Sequence, residues 1–446
     1  MPTAIFTIGR SGLTASRRSL ELTAQNIANA DNVDYSRRTL TQGELVMTGN
    51  IGNNAQDSLG GVRPGTIERA ESSLVQRQAR DSSSALSAAE AEFFAMKEAE
   101  SALEASGVFT GLVDFEAALT RLQNNPTEPA LRLSALESAR KMAGNFRIAN
   151  GTLANARNLV QAEVSAKTLT VNELAGELAK VNADLVGSRE GTAGRAALLD
   201  ARDKALRGLA KEFGISPTIN ANGTADVMLN GTPPVALVTG ATTSPLETSF
   251  AADGTVTFTV GGTPTVPAGG AMAGRASALA EMAGLQTGLD ALAVSAINIT
   301  NAAQANGVGL DGNPGPPIFA GTGAGSINVV LAAADGLATA AAGSPAGSRD
   351  TANLAALISA LGDASGPVSG TDSLLLGLSS RVSALETRSE GLSVVAASAE
   401  AELLRETGVD LDTEAANLVR LQQAFEANSR VIQVAAELFD TILGLR

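Results

Sequence analysis

Apolar residues recur every seven positions near the C-terminal end of the sequence, and this repeat restricts the fold more than any other feature. The segment 418–443 (LVRLQQAFEANSRVIQVAAELFDTIL) is the longest clean amphipathic pattern in the chain. One row of the pattern is Leu411, Leu418, Phe425, Ile432 and Phe439, and the second row is Leu421, Asn428, Ala435 and Ile442. A helix with rows of this length buries them only against other helices.

A second amphipathic helix is predicted over about residues 5–29, where Leu13, Leu20 and Ile27 fall seven residues apart. A polar break rich in asparagine and aspartate follows it and contains Tyr35, the only tyrosine of the chain. The N-terminal helix and its break carry Arg10, Arg17, Arg18, Arg37 and Arg38, whereas the C-terminal helix carries Glu414, Glu426, Glu437 and Asp440. Opposite charges and apolar rows together predict that the two terminal helices dock on each other, with burial as the larger contribution.

Asn428 interrupts the second row of the C-terminal helix, and two interpretations stay open. The residue either turns slightly to solvent or sets the register between packed helices as a buried polar group. The segment before this helix, Asp410 to Glu414, resembles half of a calcium loop. Its sixth position is Ala415 where such a loop needs glycine, so we interpret these residues as a helix cap instead.

Between the terminal helices the sequence predicts mostly helix. Phe146, Leu153, Val160, Leu174 and Val181 keep a spacing of seven or fourteen residues, which predicts one long helix over about 129–186. Another helix is expected from Ile67 to about residue 105, after a turn at Gly61–Gly65.

Residues 214–270 differ in composition, because they are rich in glycine, threonine, proline and valine. Asn222-Gly223 and Asp253-Gly254 lie between β-prone runs and are hairpin signals. The sequence therefore predicts a mainly α fold, with coiled-coil terminal helices, an elongated helical-bundle domain and a small inserted β domain. The expected domains are residues 1–40 with 405–446 (terminal helices), 41–213 with 271–404 (helical domain) and 214–270 (β insert).

The sequence contains neither histidine nor cysteine. Catalytic histidines, cysteine nucleophiles, zinc sites built from these side chains and disulfides are therefore not available. We expect a protein that is not an enzyme and needs no cofactor or metal. The alternative is an enzyme or adhesin with its chemistry in residues 214–270, where Asp226, Glu247 and Asp253 offer little material for catalysis.

A net charge of −14 also restricts the partners. It argues against nucleic acid, since the chain has no basic excess to release counterions, and against an anionic membrane as the main partner. The start, MPTAIFTIGRSGL, lacks the basic and then long apolar order of a cleaved secretory signal. No run of about 20 apolar residues is present, so no membrane span is expected.

Residues 11–40 resemble the N-terminal signature of bacterial flagellar rod, hook and hook-associated axial proteins, which reads S-G-L, then N-N-I-A-N, then G-Y-x-R-Q. The matching positions are Ser11, Gly12, Leu13, Asn26, Ile27, Ala28, Asn29, Tyr35 and Arg37, and the departures are Gln25, Asp34 and Arg38. Residues 408–443 resemble the C-terminal signature of the same group. Segments 198–215 and 307–319 resemble, within this group, the hook-associated protein 1 family at the hook–filament junction.

The resemblance implies a structural subunit that joins hook to filament and assembles as a ring or helical layer through its terminal helices, with a hook or rod component as the alternative. It implies as partners further copies of the chain, hook protein, the second hook–filament junction protein and a type III export chaperone on the C-terminal helix. It also implies an extracellular location in the flagellum, reached without signal cleavage. The candidate assembly residues are Leu13, Leu20, Asn26, Ile27, Asn29, Tyr35, Leu418, Leu421, Phe425, Asn428, Ile432, Phe439 and Ile442.

Overall fold

The computed structural model describes residues 2–45 and 60–444, apart from the side chains of residues 2–4, 442 and 443. Its α-helices are α1 (Pro2–Ala28), α2 (Ser73–Ser106), α3 (Val108–Asn124), α4 (Pro129–Gly187), α5 (Ala193–Glu212), α6 (Gly270–Asn306), α7 (Ala352–Gly362), α8 (Pro367–Thr407) and α9 (Leu411–Gly444). Its strands are β1 (Arg38–Glu44), β2 (Val62–Arg69), β3 (Ile215–Ile219), β4 (Ala225–Leu229), β5 (Gly231–Thr232), β6 (Val235–Thr239), β7 (Thr242–Thr243), β8 (Leu246–Phe250), β9 (Val256–Val260), β10 (Thr263–Pro267), β11 (Gly307–Val308), β12 (Phe319–Ala320), β13 (Asn328–Val329) and β14 (Ala340–Ala341). The mainly α fold with a small β insert is confirmed.

Local chemistry explains where several helices begin. Pro129 occupies the first position of α4, where a backbone N–H would have no partner within the helix, so its absence in proline costs nothing. Thr192 caps α5 by accepting a hydrogen bond from the Arg195 amide at 3.2 Å. Asp410 caps α9, because its carboxylate accepts from the Asp412 amide at 3.1 Å, which confirms the capping interpretation of that segment.

The expected turn at Gly61–Gly65 and the helix starting at Ile67 were wrong. Residues 62–69 form strand β2, which pairs antiparallel with β1 so that Leu40 lies opposite Ile67, and helix α2 starts only at Ser73. Pro64 is tolerated because the register shifts beside it, between Leu40 and Gln42. The pairing partner lies outside any local window of sequence, so periodicity within the segment did not reveal the strand.

Contacts divide the chain into two compact units. The first consists of Met1–Ser84, Val171–Leu246 and Ser393–Arg446. In it, α1 packs on α9, β1 and β2, and a sheet has the strand order β3-β4-β6-β7. Asn182 fastens that sheet to its helix, since its amide donates to the carbonyls of Ala225 at 2.8 Å and Gly240 at 2.7 Å.

The second unit consists of Ala85–Thr170 and Glu247–Leu392. Helix α7 packs there against α3 and α6, and Phe115 meets Phe319 edge to face with ring centres 5.9 Å apart. Arg132 is fully buried and donates to the carbonyls of Pro126 at 2.6 Å and Leu337 at 2.9 Å. It thereby holds an irregular segment against the start of α4.

Within the described residues, no helix combines the length and apolar character that crossing a bilayer requires.

Candidate functional site

The terminal helices α1 and α9 pack against each other in opposite directions. Gly9 lies beside Ile432, Gly12 beside Asn428, and Asn26 beside Glu414. Residue numbers on one helix thus rise as those on the other fall. The expected docking of the two chain ends is present in the first unit.

Small residues on α1 allow a close approach of the two helices. A Cβ on Gly9 would lie 2.9 Å from Ile432 Cγ1, and a Cβ on Gly12 would lie 2.8 Å from Asn428 Cγ. Both distances are shorter than a normal carbon contact. By helical spacing, the α1 face that meets α9 consists of Gly9, Gly12, Ser16, Thr23 and Asn26. The large predicted row of Leu13, Leu20 and Ile27 lies next to this face and stays partly exposed.

Of the two predicted rows of α9, Ile432 and Asn428 lie directly against Gly9 and Gly12 of α1, whereas Leu411 is half exposed. Leu418, Leu421, Phe425, Asn428 and Ile432 are all partly buried. Asn428 is held against Gly12, and its amide donates to the Ala424 carbonyl at 2.9 Å. This packed position fits the second of its two interpretations better than the first. Phe439 is 49 % exposed, and the side chain of Ile442 lies outside the described residues.

Apolar side chains remain in contact with solvent on both terminal helices. The large ones among the described residues, each between 37 % and 52 % exposed, are Ile5, Phe6, Ile8, Leu411, Val419, Val431, Val434, Leu438 and Phe439. The described part of the chain therefore leaves much of the apolar surface of this helix pair uncovered. Contiguous exposed apolar surface of this kind marks an interaction site.

Asn26 lies near the end of α1, beside the start of α9, and its side chain is 1 % exposed. Both the nitrogen and the oxygen of its amide form hydrogen bonds there. Its Nδ2 donates to the Arg38 carbonyl at 2.9 Å and to Glu414 Oε1 at 3.1 Å. Its Oδ1 accepts from the Tyr35 hydroxyl at 2.8 Å and from the Arg38 amide at 3.1 Å. One side chain thereby joins α1, the break after it, the start of β1 and the first turn of α9.

The asparagine-rich break forms a hydrogen-bonded bend. The Asp34 amide donates to Asn32 Oδ1 at 3.1 Å, and the Tyr35 amide donates to the Asn32 carbonyl at 2.9 Å. These are the local backbone bonds that make asparagine a turn residue. Asn29 is partly buried and donates back to the Gln25 carbonyl at 2.8 Å, so it finishes α1 and makes no bond to α9.

A buried cluster of alternating charges lies next to this bend. It consists of Arg38, Arg69, Asp200, Arg202 and Asp203, which we call the Asp200–Asp203 cluster. Asp200 accepts from Arg38 at 2.6 Å and from Arg69 at 2.7 Å, and Asp203 accepts from Arg69 at 2.6 Å. The Arg38 guanidinium also lies 4.6 Å from the centre of the Tyr35 ring.

Burial and charge have opposite effects on the ionisable groups of this region. Burial raises the pKa of Asp203, but Arg202 and Arg69 outweigh it and hold that pKa below its ordinary value. Burial likewise opposes ionisation of Asp34, and Arg207 and Lys204 outweigh it to lower the pKa of Asp34. Burial raises the pKa of Tyr35, so its hydroxyl remains a donor to Asn26.

Two parts of the site differ from the sequence expectation. Among the described residues, no ion pair joins α1 to α9: Arg38 pairs with Asp200, and Arg17 pairs with Glu21 on its own helix. At the contact, α9 presents the uncharged side chains of Asn428 and Ile432 to Gly12 and Gly9, so no arginine of α1 meets an acidic partner there. Sequence reasoning also missed Arg69 and Asp203. Asp200 and Asp203 stand one helical turn apart in LLDARDKAL, which is the signal that was available.

Two models of known protein families match the chain. The model described as "Flagellar hook-associated protein FlgK helical domain" matches residues 96–319, just over half of the chain. The model described as "Flagellar basal body rod FlgEFG protein C-terminal" matches residues 402–445, which include α9.

Similar proteins include "Flagellar hook-associated protein 1" of Bacillus subtilis, 24 % identical over 221 residues, which are 48 % of this chain and 44 % of that protein. The protein of the same name in Escherichia coli is 25 % identical over 242 residues, 52 % of this chain and 42 % of that protein. The matched region thus spans less than half the length of these relatives. The solved hook junction protein FlgK of Burkholderia pseudomallei aligns with a TM-score of 0.49 and 24 % identity over 55 % of this chain and 46 % of that chain. On the match to its helical domain, the chain belongs to the FlgK family of flagellar hook-associated proteins.

Proposed function

We propose that this chain is a structural, non-enzymatic subunit of the bacterial flagellum that joins hook to filament. The observation that carries the proposal is the apolar surface left open on the α1–α9 pair in a chain of the FlgK family. A subunit that binds further copies through this pair would cover that surface. The assembling part is residues 1–40 with 405–446, and the candidate residues given by the sequence belong to it.

The proposed partners are further copies of the chain in a ring or helical layer, hook protein and the second hook–filament junction protein. An export chaperone on α9 and an extracellular location in the flagellum, without signal cleavage, belong to the same proposal. The relatives named above support it by their printed names, which describe hook-associated proteins. The net charge of −14 gives no support to a role in binding nucleic acid.

A hook or rod component is the second candidate, and the match of residues 402–445 to a rod-protein model favours it. The match of residues 96–319 to the FlgK helical domain favours the junction protein, and it covers far more of the chain. We therefore retain the junction role as the conclusion.

The test is electron microscopy of cells of the source organism that lack this chain. We expect hooks without filaments and flagellin released into the medium. Cells lacking the chain that still carry filaments of normal number would contradict the junction role, and cells without hooks would favour a rod or hook component.

Complementation then tests the terminal helices. Wild-type protein should restore filaments, whereas Val434→Asp with Leu438→Asp should not, because charges would enter the open apolar surface of α9. Leu376→Asp is the matched control, since Leu376 is 66 % exposed on α8. Filaments with the α9 variant would exclude this surface from assembly.

A further inference from the structure

Two of the three departures from the N-terminal signature are charged residues, and both pair with helix α5. The signature has glycine before its tyrosine and glutamine at its end, whereas this chain has Asp34 and Arg38 at these positions. Asp34 Oδ1 accepts a hydrogen bond from Arg207 Nη2 at 2.5 Å, and Arg38 Nη2 donates to Asp200 Oδ2 at 2.6 Å. The third departure, Gln25, is exposed. The charged departures therefore act on the same helix, and with opposite signs.

The partners on α5 lie on one face of that helix. Asp200, Lys204 and Arg207 are spaced by four and three residues, so their side chains point to the same side. Lys204 Nζ lies 3.3 Å from Asp34 Oδ2 and gives this aspartate a second cation. From the first to the last of these positions the helix rises about 10 Å, and the chain from Asp34 to Arg38 spans at most about 13 Å. The segment is therefore long enough to be held by α5 at both of its ends.

The order of the charges determines where this segment lies along α5. Residue numbers rise from Asp34 to Arg38 as they fall from Arg207 to Asp200. A shift of the segment toward the start of α5 would bring Asp34 close to Asp200. A shift in the other direction would bring Arg38 close to Lys204. Both shifts place like charges side by side, so the observed register is the one that satisfies both ends.

The neighbouring charges do not compete for these partners. Asp203 pairs with Arg69 at 2.6 Å and with Arg202 at 2.7 Å, so its charge is already balanced. Asp31 and Arg37 are the other charged residues of the bend. Among the described residues, neither of them forms an ion pair with α5.

We propose that Asp34 and Arg38 form a clamp that fixes the register of the bend on α5, and thereby the place at which the α1–α9 pair joins the rest of the first unit. The bend follows α1 directly, and its Arg37 amide donates to the Thr407 carbonyl at 2.8 Å, at the end of α8. Because α9 begins just after that residue, a fixed bend positions both helices of the pair. The clamp is a property of the single chain and does not depend on the proposed function.

Tyrosine fluorescence reports selectively on the bend, because Tyr35 is the only tyrosine and the chain has no tryptophan. Tyr35 is 9 % exposed, so acrylamide should quench its emission poorly in the purified full-length protein. We expect Arg207→Gln to raise the quenching constant about twofold or more, since the bend is then free to leave α5. Lys211→Gln is the matched control, since Lys211 is exposed one turn further along the same helix, and it should leave the constant unchanged.

Thermal unfolding separates positioning from general destabilisation. The midpoint of Arg207→Gln should stay within about 4 °C of the wild type, because a partly exposed ion pair contributes little to global stability. An unchanged quenching constant in Arg207→Gln, or an equal rise in Lys211→Gln, would overturn the inference. A larger loss of midpoint would assign Arg207 a general structural role and would overturn it too.

Charge exchange then tests the pairing itself. Asp34→Lys should raise the quenching constant at least as much as Arg207→Gln, because the new ammonium faces two cations. Adding Lys204→Glu and Arg207→Glu to Asp34→Lys should return the constant to the wild-type value. A combined variant that keeps the high constant of Asp34→Lys contradicts the clamp.

If a variant loses helix by circular dichroism, the wild-type protein decides through its response to salt. Raising sodium chloride from roughly 0.01 M to roughly 1 M shortens the Debye length from about 30 Å to about 3 Å. The bonds of Asp34, whose side chain is 29 % exposed, should then weaken, and quenching of Tyr35 should rise. Acrylamide is uncharged, so salt does not change its own approach to the ring. A quenching constant that is the same at both salt concentrations would exclude the clamp.

Discussion

Gly12 of α1 lies so close to Asn428 of α9 that a Cβ on the glycine would stand 2.8 Å from Asn428 Cγ and 2.9 Å from its Nδ2. At this point a small residue of α1 packs against a larger one of α9, and this contact determines how closely the two terminal helices approach each other. The amide of Asn428 is fixed in turn by its bond to the Ala424 carbonyl at 2.9 Å, so it has little freedom to move aside.

Gly12→Ala should therefore destabilise the helix pair, by about 1–3 kcal/mol, as overpacking of a tight contact usually does. Gly176→Ala is the control on α4, where a Cβ meets nothing within 4 Å. That change should raise stability by about 0.5–1 kcal/mol through helix propensity. Thermal unfolding monitored by circular dichroism measures both. In an Asn428→Ala background the cost of Gly12→Ala should shrink, and full additivity of the two changes would refute the contact.

Asn26→Asp should be more damaging than its small change in shape suggests. The substitution removes the donor to the Arg38 carbonyl and places a carboxylate 3.1 Å from Glu414 Oε1. Each buried group left without a partner costs about 1–3 kcal/mol. Tyr35→Phe, which removes one bond to Asn26, should cost about 1 kcal/mol. Asn29→Ala serves as control and should cost less than Asn26→Asp, since the side chain of Asn29 donates to the Gln25 carbonyl in its own helix turn, where the bond is exposed. Equal unfolding midpoints for the Asn26 and Asn29 variants would contradict this assignment.

Acid should weaken the first unit through Asp203. Its pKa in the folded state lies below the unfolded value of about 3.9, because Arg202 and Arg69 stabilise the charged form. Its contribution to stability is thus fully present above the unfolded pKa and is lost as the pH falls through the folded pKa. Asp203→Asn should lower the free energy of unfolding at pH 7 by about 3–5 kcal/mol. Below pH 5, the free energy of unfolding of the variant should fall less steeply with falling pH than that of the wild type. Calorimetric scans at several pH values test both, with Asp184→Asn on the exposed side of α4 as the control. If the free energy of unfolding of Asp203→Asn falls with pH as steeply as that of the wild type, Asp203 is not the cause of the acid sensitivity.

Arg132→Met should destabilise the second unit. The guanidinium of Arg132 donates to the carbonyls of Pro126 and Leu337 and to Thr339 Oγ1, and methionine would leave these acceptors unpaired inside the protein. Each buried acceptor left without a partner costs about 1–3 kcal/mol. Arg140→Met is the control on the same helix. The Arg140 side chain is 43 % exposed and pairs with the exposed Glu137, so its loss should cost less than about 1 kcal/mol. If the two variants melt at the same temperature, the bonds of Arg132 contribute no stability.

The periodic elements were predictable because they bury regular stripes. The spacing of Phe146, Leu153 and Val160 predicted the long helix that α4 forms, and all three side chains are buried. Asn222-Gly223 and Asp253-Gly254 likewise predicted hairpins that the structure contains between β3 and β4 and between β8 and β9. Local chemistry sufficed in these cases.

The strand β2 and the Asp200–Asp203 cluster were not predictable in the same way. The partner of Ile67 is Leu40 on β1, and the partners of Asp200 are Arg38 and Arg69. These contacts join residues that are far apart in the sequence, and the spacing of apolar residues within one segment does not predict them. The rows of α1 show a related limit. Periodicity detected Leu13, Leu20 and Ile27, but the residues that meet α9 are small, and a hydrophobic pattern does not detect glycine or serine.

Asn26 receives its hydrogen-bond acceptor on Glu414 only after 388 further residues have been synthesised. Helix α1 therefore leaves the ribosome long before α9 exists. Because pairings of such sequence separation are slow to form, α1 of each newly made chain should stay incompletely folded until α9 has been synthesised. A nascent chain stalled before residue 411 should accordingly be cleaved by added protease within α1 much faster than the released, full-length protein.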